Sequence, residues 1–365
     1  MKKFIYITIN LLFVSCYCCA QNRDSLWRAY ENQTDTLKIK TLQIIAWSYV
    51  GNKPDTAMIL AEQELKLANE VVNGKGKKWV ANAFNLMGVL FLHKSNYPKA
   101  LEHYLKALKI CEGNSDKKGI ERISVNIGNV YKDMFNDSKA LEYYEKSLRI
   151  SEEINDIPNI AVCYGNIGLI YKNEKNYTKA LDYYTKQFTV CEKINSLKGM
   201  ADCWNNMANI YQEQRKYTEA VDYYLKALSL FKQIGNKHGQ AVCYINISNL
   251  QNILLKYALA IKYSDSALVL NKDLGDVNVS RLSYAYIATA YSKTNRYKEA
   301  YEYHVKFKAL TDSIFNEDNS KQLGDLKTQF EVEKKEAELK IKSEAEQEKL
   351  KAIASEEKKR QQVVI

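Results

Sequence analysis

A repeat of 40 residues limits this chain to a few folds. A small residue recurs at one position of every unit, and an alanine follows it twelve residues later. The small residues are Gly88, Gly128, Gly168, Ala208, Ser248 and Ala288, and the alanines are Ala100, Ala140, Ala180, Ala220, Ala260 and Ala300. A fixed period of this length indicates a repeat protein, in which each unit buries its apolar faces against its neighbours.

Each unit contains two stretches with the spacing of an amphipathic helix. In the third unit the first stretch includes Tyr164, Ile167 and Tyr171, and the second includes Ala180 and Tyr184. The small residue lets two helix axes approach, and a tyrosine from the partner helix fills the space beside it. Prolines and glycines, 3 and 14 in 365 residues, are as sparse as helices require. We predict an all-α solenoid of about seven helical hairpins.

The pattern within a unit resembles the tetratricopeptide repeat. The residues that carry the resemblance are Asn166-Ile167-Gly168, Tyr171, Asn176-Tyr177, Lys179-Ala180-Leu181 and Tyr184. The match extends over about residues 80 to 312, and the period resembles a long-helix variant of the usual repeat of about 34 residues. The resemblance implies a module that binds a protein or a peptide.

The first 20 residues have the pattern of an export signal. Lys2 and Lys3 precede an apolar run from Phe4 to Val14, which is too short to span a bilayer, and small residues follow. We predict that residues 1–20 are a signal peptide and that the chain is periplasmic or otherwise extracytoplasmic. Ordinary cleavage is favoured over lipoprotein processing at Cys16, because Phe13 is a poor first residue for a lipobox.

Four further segments follow the signal peptide. We predict an N-terminal cap and a degenerate first repeat at 21–78, and six 40-residue repeats at 79–315. Residues 316–360 have alternating charges and a thin apolar stripe, which predicts one long helix that could self-associate as a coiled coil. Residues 361–365 follow a basic cluster and are interpreted as the start of a truncated transmembrane helix.

This arrangement resembles bacterial tetratricopeptide sensor proteins. In that family a membrane helix connects the repeats to a histidine kinase or serine phosphatase domain. The resemblance implies that the chain is the extracytoplasmic, ligand-sensing part of a membrane-bound signalling protein, and that it reaches the membrane through a segment after Ile365. The alternative is a free exported scaffold that assembles envelope proteins.

Composition argues against several other functions. The formal net charge is +10, but the lysines are spread through every unit beside acidic residues, so we expect no nucleic-acid binding. Three cysteines at one repeat position, Cys163, Cys203 and Cys243, are expected to pack in the core, and a bridge from Cys191 to Cys203 is the disfavoured alternative. The four histidines lack partners at metal-ligand spacing, and no catalytic motif is present. We therefore expect no enzyme activity, metal or cofactor.

Two columns of asparagine mark a candidate peptide-binding groove. The tetratricopeptide resemblance implies that the first helix of each hairpin lines a concave groove, and the columns fall on that helix. They comprise Asn126, Asn166, Asn206 and Asn246 before the small residue, and Asn129, Asn209 and Asn249 after it. An amide side chain can pair with both the N–H and the C=O of an extended peptide.

Three cations on the same face, Arg122, Lys132 and Lys172, are expected to contact acidic groups of a ligand. The alternative for the asparagines is that they bond neighbouring helices or loops of the protein itself.

Overall fold

The structure is a computed structural model, and it describes residues 25–33, 35–71 and 76–313. The predicted signal peptide, the predicted long charged helix and the interpreted membrane-entry segment all lie outside the described residues.

The described residues form fifteen α-helices and no strand. After the short helix α1, consecutive helices pack as seven hairpins, from α2–α3 to α14–α15, so the predicted all-α solenoid is confirmed. None of the described helices is both long and apolar enough to cross a membrane. The bounds are α1 25–31, α2 Asp35–Tyr49, α3 Pro54–Glu70, α4 Lys77–His93, α5 Tyr97–Gly113, α6 Lys117–Asp133, α7 Asp137–Glu153, α8 Ile157–Asn173, α9 Tyr177–Lys193, α10 Leu197–Glu213, α11 Tyr217–Gln233, α12 Lys237–Ile253, α13 Tyr257–Leu274, α14 Val277–Lys293 and α15 297–313.

From α4 onward a helix begins every 20 residues, and most breaks share one backbone turn. The break between α13 and α14 differs, because the Asp276 N–H donates to the side-chain Oδ1 of Asn271. Between α8 and α9, Lys175 has a φ of 59°, and the N–H of Asn176 donates to the carbonyl oxygen of Tyr171 at 2.8 Å. This turn satisfies carbonyl groups that a helix end leaves unpaired. The Oδ1 of Asn176 then accepts from the backbone N–H of Lys179, which caps the next helix.

The same left-handed conformation recurs in every break from α4 to α15. Two of these positions are glycine, whereas the others carry side chains as large as Phe135, which pay a conformational penalty of about 1 kcal/mol each. The residues are Ser95, Ser115, Phe135, Asn155, Lys175, Asn195, Arg215, Gly235, Leu255, Gly275 and Asn295. The hydrogen bonds of the turn and the packing of both flanking helices offset this penalty.

A small residue faces a fully buried tyrosine in four hairpins. The tyrosines are Tyr104, Tyr144, Tyr184 and Tyr224, all 0% exposed, and the small residues are Gly88, Gly128, Gly168 and Ala208. A methyl group at Gly128 would lie 2.6 Å from the Tyr144 ring, so the glycine allows this close approach. In the next hairpin, Ser248 and Ser264 replace the pair, and their hydroxyl oxygens lie 2.7 Å apart in a hydrogen bond.

Stacked tyrosines and lysines cover another part of three hairpins. Tyr171 of α8 stacks on Tyr183 of α9 with ring centroids 5.5 Å apart, and the Lys179 ammonium lies 4.7 Å from the Tyr171 centroid. Equivalent stacks join Tyr131 to Tyr143 and Tyr211 to Tyr223. These cation–π contacts account for many lysines that have no acidic partner.

The fold divides into two compact units between α5 and α6. The described part of unit 1 ends at residue 115, and its core is formed by α2, α3 and α4 around residues such as Leu42, Ile45 and Leu86. Unit 2 contains α6 to α15, and each second helix packs on the first helix of the next hairpin. Phe188 of α9 stacks on Trp204 of α10 in this way, with centroids 5.3 Å apart.

The five cysteines after the signal segment are all free and buried. Cys163, Cys203 and Cys243 are 0% exposed at their shared repeat position, as expected for small apolar side chains. Cys191 and Cys203 are both free, so the disfavoured disulfide is not formed in the structure.

Glu64 of α3 is a buried carboxyl in unit 1. Its side chain is fully buried, and neither oxygen has a hydrogen-bond partner in the structure. Burial raises the pKa of Glu64 to about 8, from an ordinary value of 4.5. Because the folded state holds the proton more tightly than the unfolded state, this group leaves stability unaffected below pH 4.5 and lowers it as the pH rises from there to about 8.

Replacing Glu64 by Gln is expected to flatten this pH dependence. Thermal unfolding of both proteins between about pH 5 and pH 9 should show the variant gaining several kcal/mol of stability over the parent as the pH rises, because Gln has no proton to lose. Tryptophan fluorescence follows the unfolding, and three of the four tryptophans, Trp27, Trp47 and Trp79, lie in unit 1. Glu62→Gln, at an exposed position of the same helix, is the control. If the stability of Glu64→Gln and that of the parent changed equally with pH, Glu64 would not be a buried carboxyl with a raised pKa.

Candidate functional site

The first helices of unit 2 form a row. Besides packing within its own hairpin, α6 contacts α8, α8 contacts α10, and α12 contacts α14. Between α10 and α12, the Cys243 thiol lies 4.0 Å from Asn205 Oδ1. Second helices do not approach each other as closely anywhere in the described part of unit 2. The row therefore places side chains from successive hairpins on one surface, and the predicted asparagine columns lie on it.

The surface formed by the seven asparagines on α6, α8, α10 and α12 is called the amide face below. On α6, Arg122, Asn126 and Asn129 are spaced by four and three residues, so they share one side of the helix. Ile127 and Val130 are 0% exposed and point into the core instead. All seven asparagines are half-buried: Asn126, Asn129, Asn166, Asn206, Asn209, Asn246 and Asn249.

Two asparagines of the amide face are held by buried tyrosines. The Tyr144 hydroxyl donates to Asn129 Oδ1 at 2.8 Å, and the Tyr224 hydroxyl donates to Asn209 Oδ1 at 2.5 Å. Tyr224 Oη also lies 3.2 Å from Gln212 Oε1. Burial raises the pKa of both tyrosines, which keeps the hydroxyl protons in place as donors.

The pairing depends on which residue follows the small one. Leu169 takes that position in the α8–α9 hairpin, and the Tyr184 hydroxyl there is buried without a hydrogen-bond partner. The opposite case occurs in the α12–α13 hairpin, where Ser264 replaces the tyrosine. The side chain of Asn249 consequently bonds to no group within the described residues.

The earlier column differs from the later one. The side chains of Asn166, Asn206 and Asn246 make no hydrogen bond to any described residue, so their amides are available on the surface. The alternative predicted from the sequence, that asparagines bond the protein itself, is therefore confirmed for Asn129 and Asn209. In both residues the side-chain oxygen accepts from a tyrosine hydroxyl, and the side-chain nitrogen does not take part.

The lysines predicted to contact a ligand are already close to acids. Lys132 Nζ lies 3.2 Å from Asp133, and Lys172 Nζ on α8 lies 3.4 Å from Glu213 on α10. Arg122 is exposed at the start of the face. Because these lysines have acidic neighbours, the amide face presents mainly neutral hydrogen-bonding groups.

Sequence reasoning missed further amides next to the face. Asn205 precedes Asn209 by four residues on α10, and Asn252 follows Asn249 by three on α12, so helical spacing could have identified both. Asn252 Nδ2 donates to the backbone oxygen of Tyr286 on α14 at 2.9 Å. This bond joins the first helices of adjacent hairpins, so the open part of the face runs from α6 to α12.

The described residues contain no cluster of three or more histidine, cysteine, aspartate or glutamate side chains that could hold a metal ion.

A family model of the tetratricopeptide repeat matches residues 119–193 and 199–273, which include α6 to α13 apart from short margins. The chain contains tetratricopeptide repeats. Such repeats generally form a protein-interaction scaffold without catalytic chemistry of its own, and the two matched ranges contain the whole amide face. No curated protein sequence matches the chain.

Solved structures share the tetratricopeptide architecture at low sequence identity. The apo form of RapI is 17% identical, with 76% of this chain and 99% of that chain covered and a TM-score of 0.57. A Rap protein complexed with Competence and Sporulation Factor is 12% identical, with 82% and 99% covered and a TM-score of 0.53. A signal transduction ATPase from Pyrococcus horikoshii, which has a tetratricopeptide repeat sensor, is 17% identical, with 82% and 48% covered and a TM-score of 0.60. Identities this low show a common fold.

Removing the tyrosine hydroxyl should have different effects on stability in two tetratricopeptide hairpins. Tyr184→Phe deletes a buried hydroxyl without a partner, so stability should stay equal or rise by about 1 kcal/mol. Tyr144→Phe deletes a hydroxyl that bonds Asn129, so stability should fall by about 1 kcal/mol. Urea unfolding followed by circular dichroism measures both, and equal shifts of the midpoint would contradict the hydrogen-bond assignment.

Proposed function

We propose that this chain binds an extended peptide, or an extended segment of a protein, on the amide face, and that it has no catalytic role. The observation that carries the proposal is the row of half-buried asparagines, of which Asn166, Asn206 and Asn246 have no side-chain partner among the described residues. An extended peptide has unpaired N–H and C=O groups along its length, and amide side chains complement both. A main-chain ligand also suits a face whose lysines are paired with acids.

The comparisons give independent support for a peptide ligand. One similar structure is that of a Rap protein complexed with Competence and Sporulation Factor, and another has a tetratricopeptide repeat sensor. On this basis the ligand-binding repeats act as a sensing module. We further propose that these repeats belong to the extracytoplasmic part of a membrane-bound signalling protein. The alternative is that the chain is a free exported scaffold.

The binding proposal predicts that Asn209→Ala combined with Asn249→Ala weakens a peptide ligand. A ligand can be selected from a random peptide library displayed on phage, with the purified protein as bait. Each lost hydrogen bond contributes about 1 kcal/mol, so the double variant should bind the selected peptide about thirtyfold more weakly in isothermal titration calorimetry.

The matched control is Asn52→Ala combined with Asn114→Ala, which removes two exposed asparagines of unit 1. Its affinity should equal that of the parent. Equal affinity of the Asn209/Asn249 double variant and the parent, with circular dichroism unchanged, would refute the amide face as the site, and so would the failure of the library to yield any binder.

Export is a separate part of the proposal and has its own test. Residues 1–25 fused to alkaline phosphatase should give an active enzyme, because that reporter needs the disulfides that form outside the cytoplasm. The same fusion without the apolar run 4–14 is the control and should be inactive. An inactive fusion with the complete segment would contradict export and, with it, both extracytoplasmic roles.

A further inference from the structure

The geometry points to Tyr144 and Tyr224 as positioning residues that turn the amino groups of Asn129 and Asn209 outward. This inference rests on the proposed peptide-binding function and adds which atoms of the peptide are recognised. Each tyrosine hydroxyl donates to Oδ1, so the acceptor end of each amide is used inside the protein. The Nδ2 end of each carries two donors and bonds to no other described residue. The ligand groups that fit these positions are acceptors, namely main-chain carbonyl oxygens.

The tyrosines are fixed well enough to set the orientation of the amides. Both rings are 0% exposed. The Tyr144 ring packs against Gly128 so closely that a methyl group there would lie 2.6 Å from it, and Tyr224 packs in the cluster that includes Ala208. A ring held in this way keeps its hydroxyl beside its asparagine, and the other acceptor near Tyr224 Oη, Gln212 Oε1, is farther away at 3.2 Å. The side chains of Asn129 and Asn209 are therefore ordered before a ligand arrives. Ordering beforehand reduces the entropy lost on binding.

The other hairpins show that the arrangement is specific to these two positions. Tyr184 has the same buried ring, but position 169 is leucine, and the Tyr184 hydroxyl has no hydrogen-bond partner among the described residues. Asn249 has the amide but no tyrosine, because position 264 is serine. Oriented donors therefore occur on α6 and α10, and an unoriented amide occurs on α12.

The hairpin between the two oriented donors defines the rest of the ligand. On α8, the apolar residues Val162 and Leu169 flank Asn166 on the same side of the helix, and Val162 is 46% exposed. A peptide that meets both Asn129 and Asn209 must cross these two apolar side chains. The preferred ligand is thus an extended peptide with an apolar side chain between two carbonyl groups that accept hydrogen bonds.

The test uses the full chain and the peptide selected from the phage library. Tyr144→Phe combined with Tyr224→Phe should lower the affinity about fivefold to tenfold, because the amides lose their fixed orientation. Tyr184→Phe is the matched control, since it removes a hydroxyl that touches no amide, and its affinity should stay within about twofold. Nitrogen–proton NMR should show the side-chain NH₂ signals of Asn129 and Asn209 exchanging faster with solvent in the double variant.

A second variant tests the direction of the hydrogen bond. Asn209→Asp keeps the shape and still accepts from Tyr224, but it replaces the outward donor by an acceptor. It should lower the affinity at least as much as Asn209→Ala. Retained affinity for Asn209→Asp would overturn the donor orientation.

The results also separate this inference from the proposed function. A loss of affinity in Asn209→Ala, together with unchanged affinity and unchanged NMR exchange in the double Tyr→Phe variant, overturns the positioning role and leaves the peptide site standing. Unchanged affinity in every variant of the amide face overturns the peptide site and the positioning role together.

Discussion

The contact between a small residue on one helix and a buried tyrosine on its partner governs this structure. At Gly128 and Tyr144 the helices approach so closely that no side chain fits on the first helix. The contact fixes the distance and rotation of the two helices in a hairpin, and the regular turns every 20 residues carry the same geometry along the chain. The row of first helices, and hence the amide face, depends on this repeated packing.

The same tyrosine connects packing with the proposed binding chemistry. Its ring belongs to the hydrophobic core, and its hydroxyl reaches the amide one position after the small residue. A phenol is large enough to fill the space beside glycine and still places a donor at the rim of the core. Where the following residue is Leu169, the ring keeps its packing role and the hydroxyl is left without a bond. Packing and recognition can therefore change independently from one hairpin to the next.

Sequence reasoning recovered the fold because the 40-residue register fixes both helices of each hairpin. It also assigned the asparagines to one helix face, because spacings of three and four residues determine which side chains share a face. It could not find the Tyr144–Asn129 bond, which joins residues 15 apart on two helices, or the pairing of Lys172 with Glu213 in the next hairpin. These contacts depend on the depth and rotation of packed helices, and a linear pattern carries neither. The buried state of Glu64 was missed for the same reason, since a lone glutamate between apolar positions has the same sequence pattern as an exposed one.

A crystal structure of the protein with a selected peptide would test the central claim most directly. The account predicts an extended peptide along α6, α8 and α10, with carbonyl oxygens within hydrogen-bond distance of Asn129 Nδ2 and Asn209 Nδ2 and an apolar side chain beside Val162. A peptide bound to the second helices, or one that presents N–H groups to these two asparagines, would contradict it.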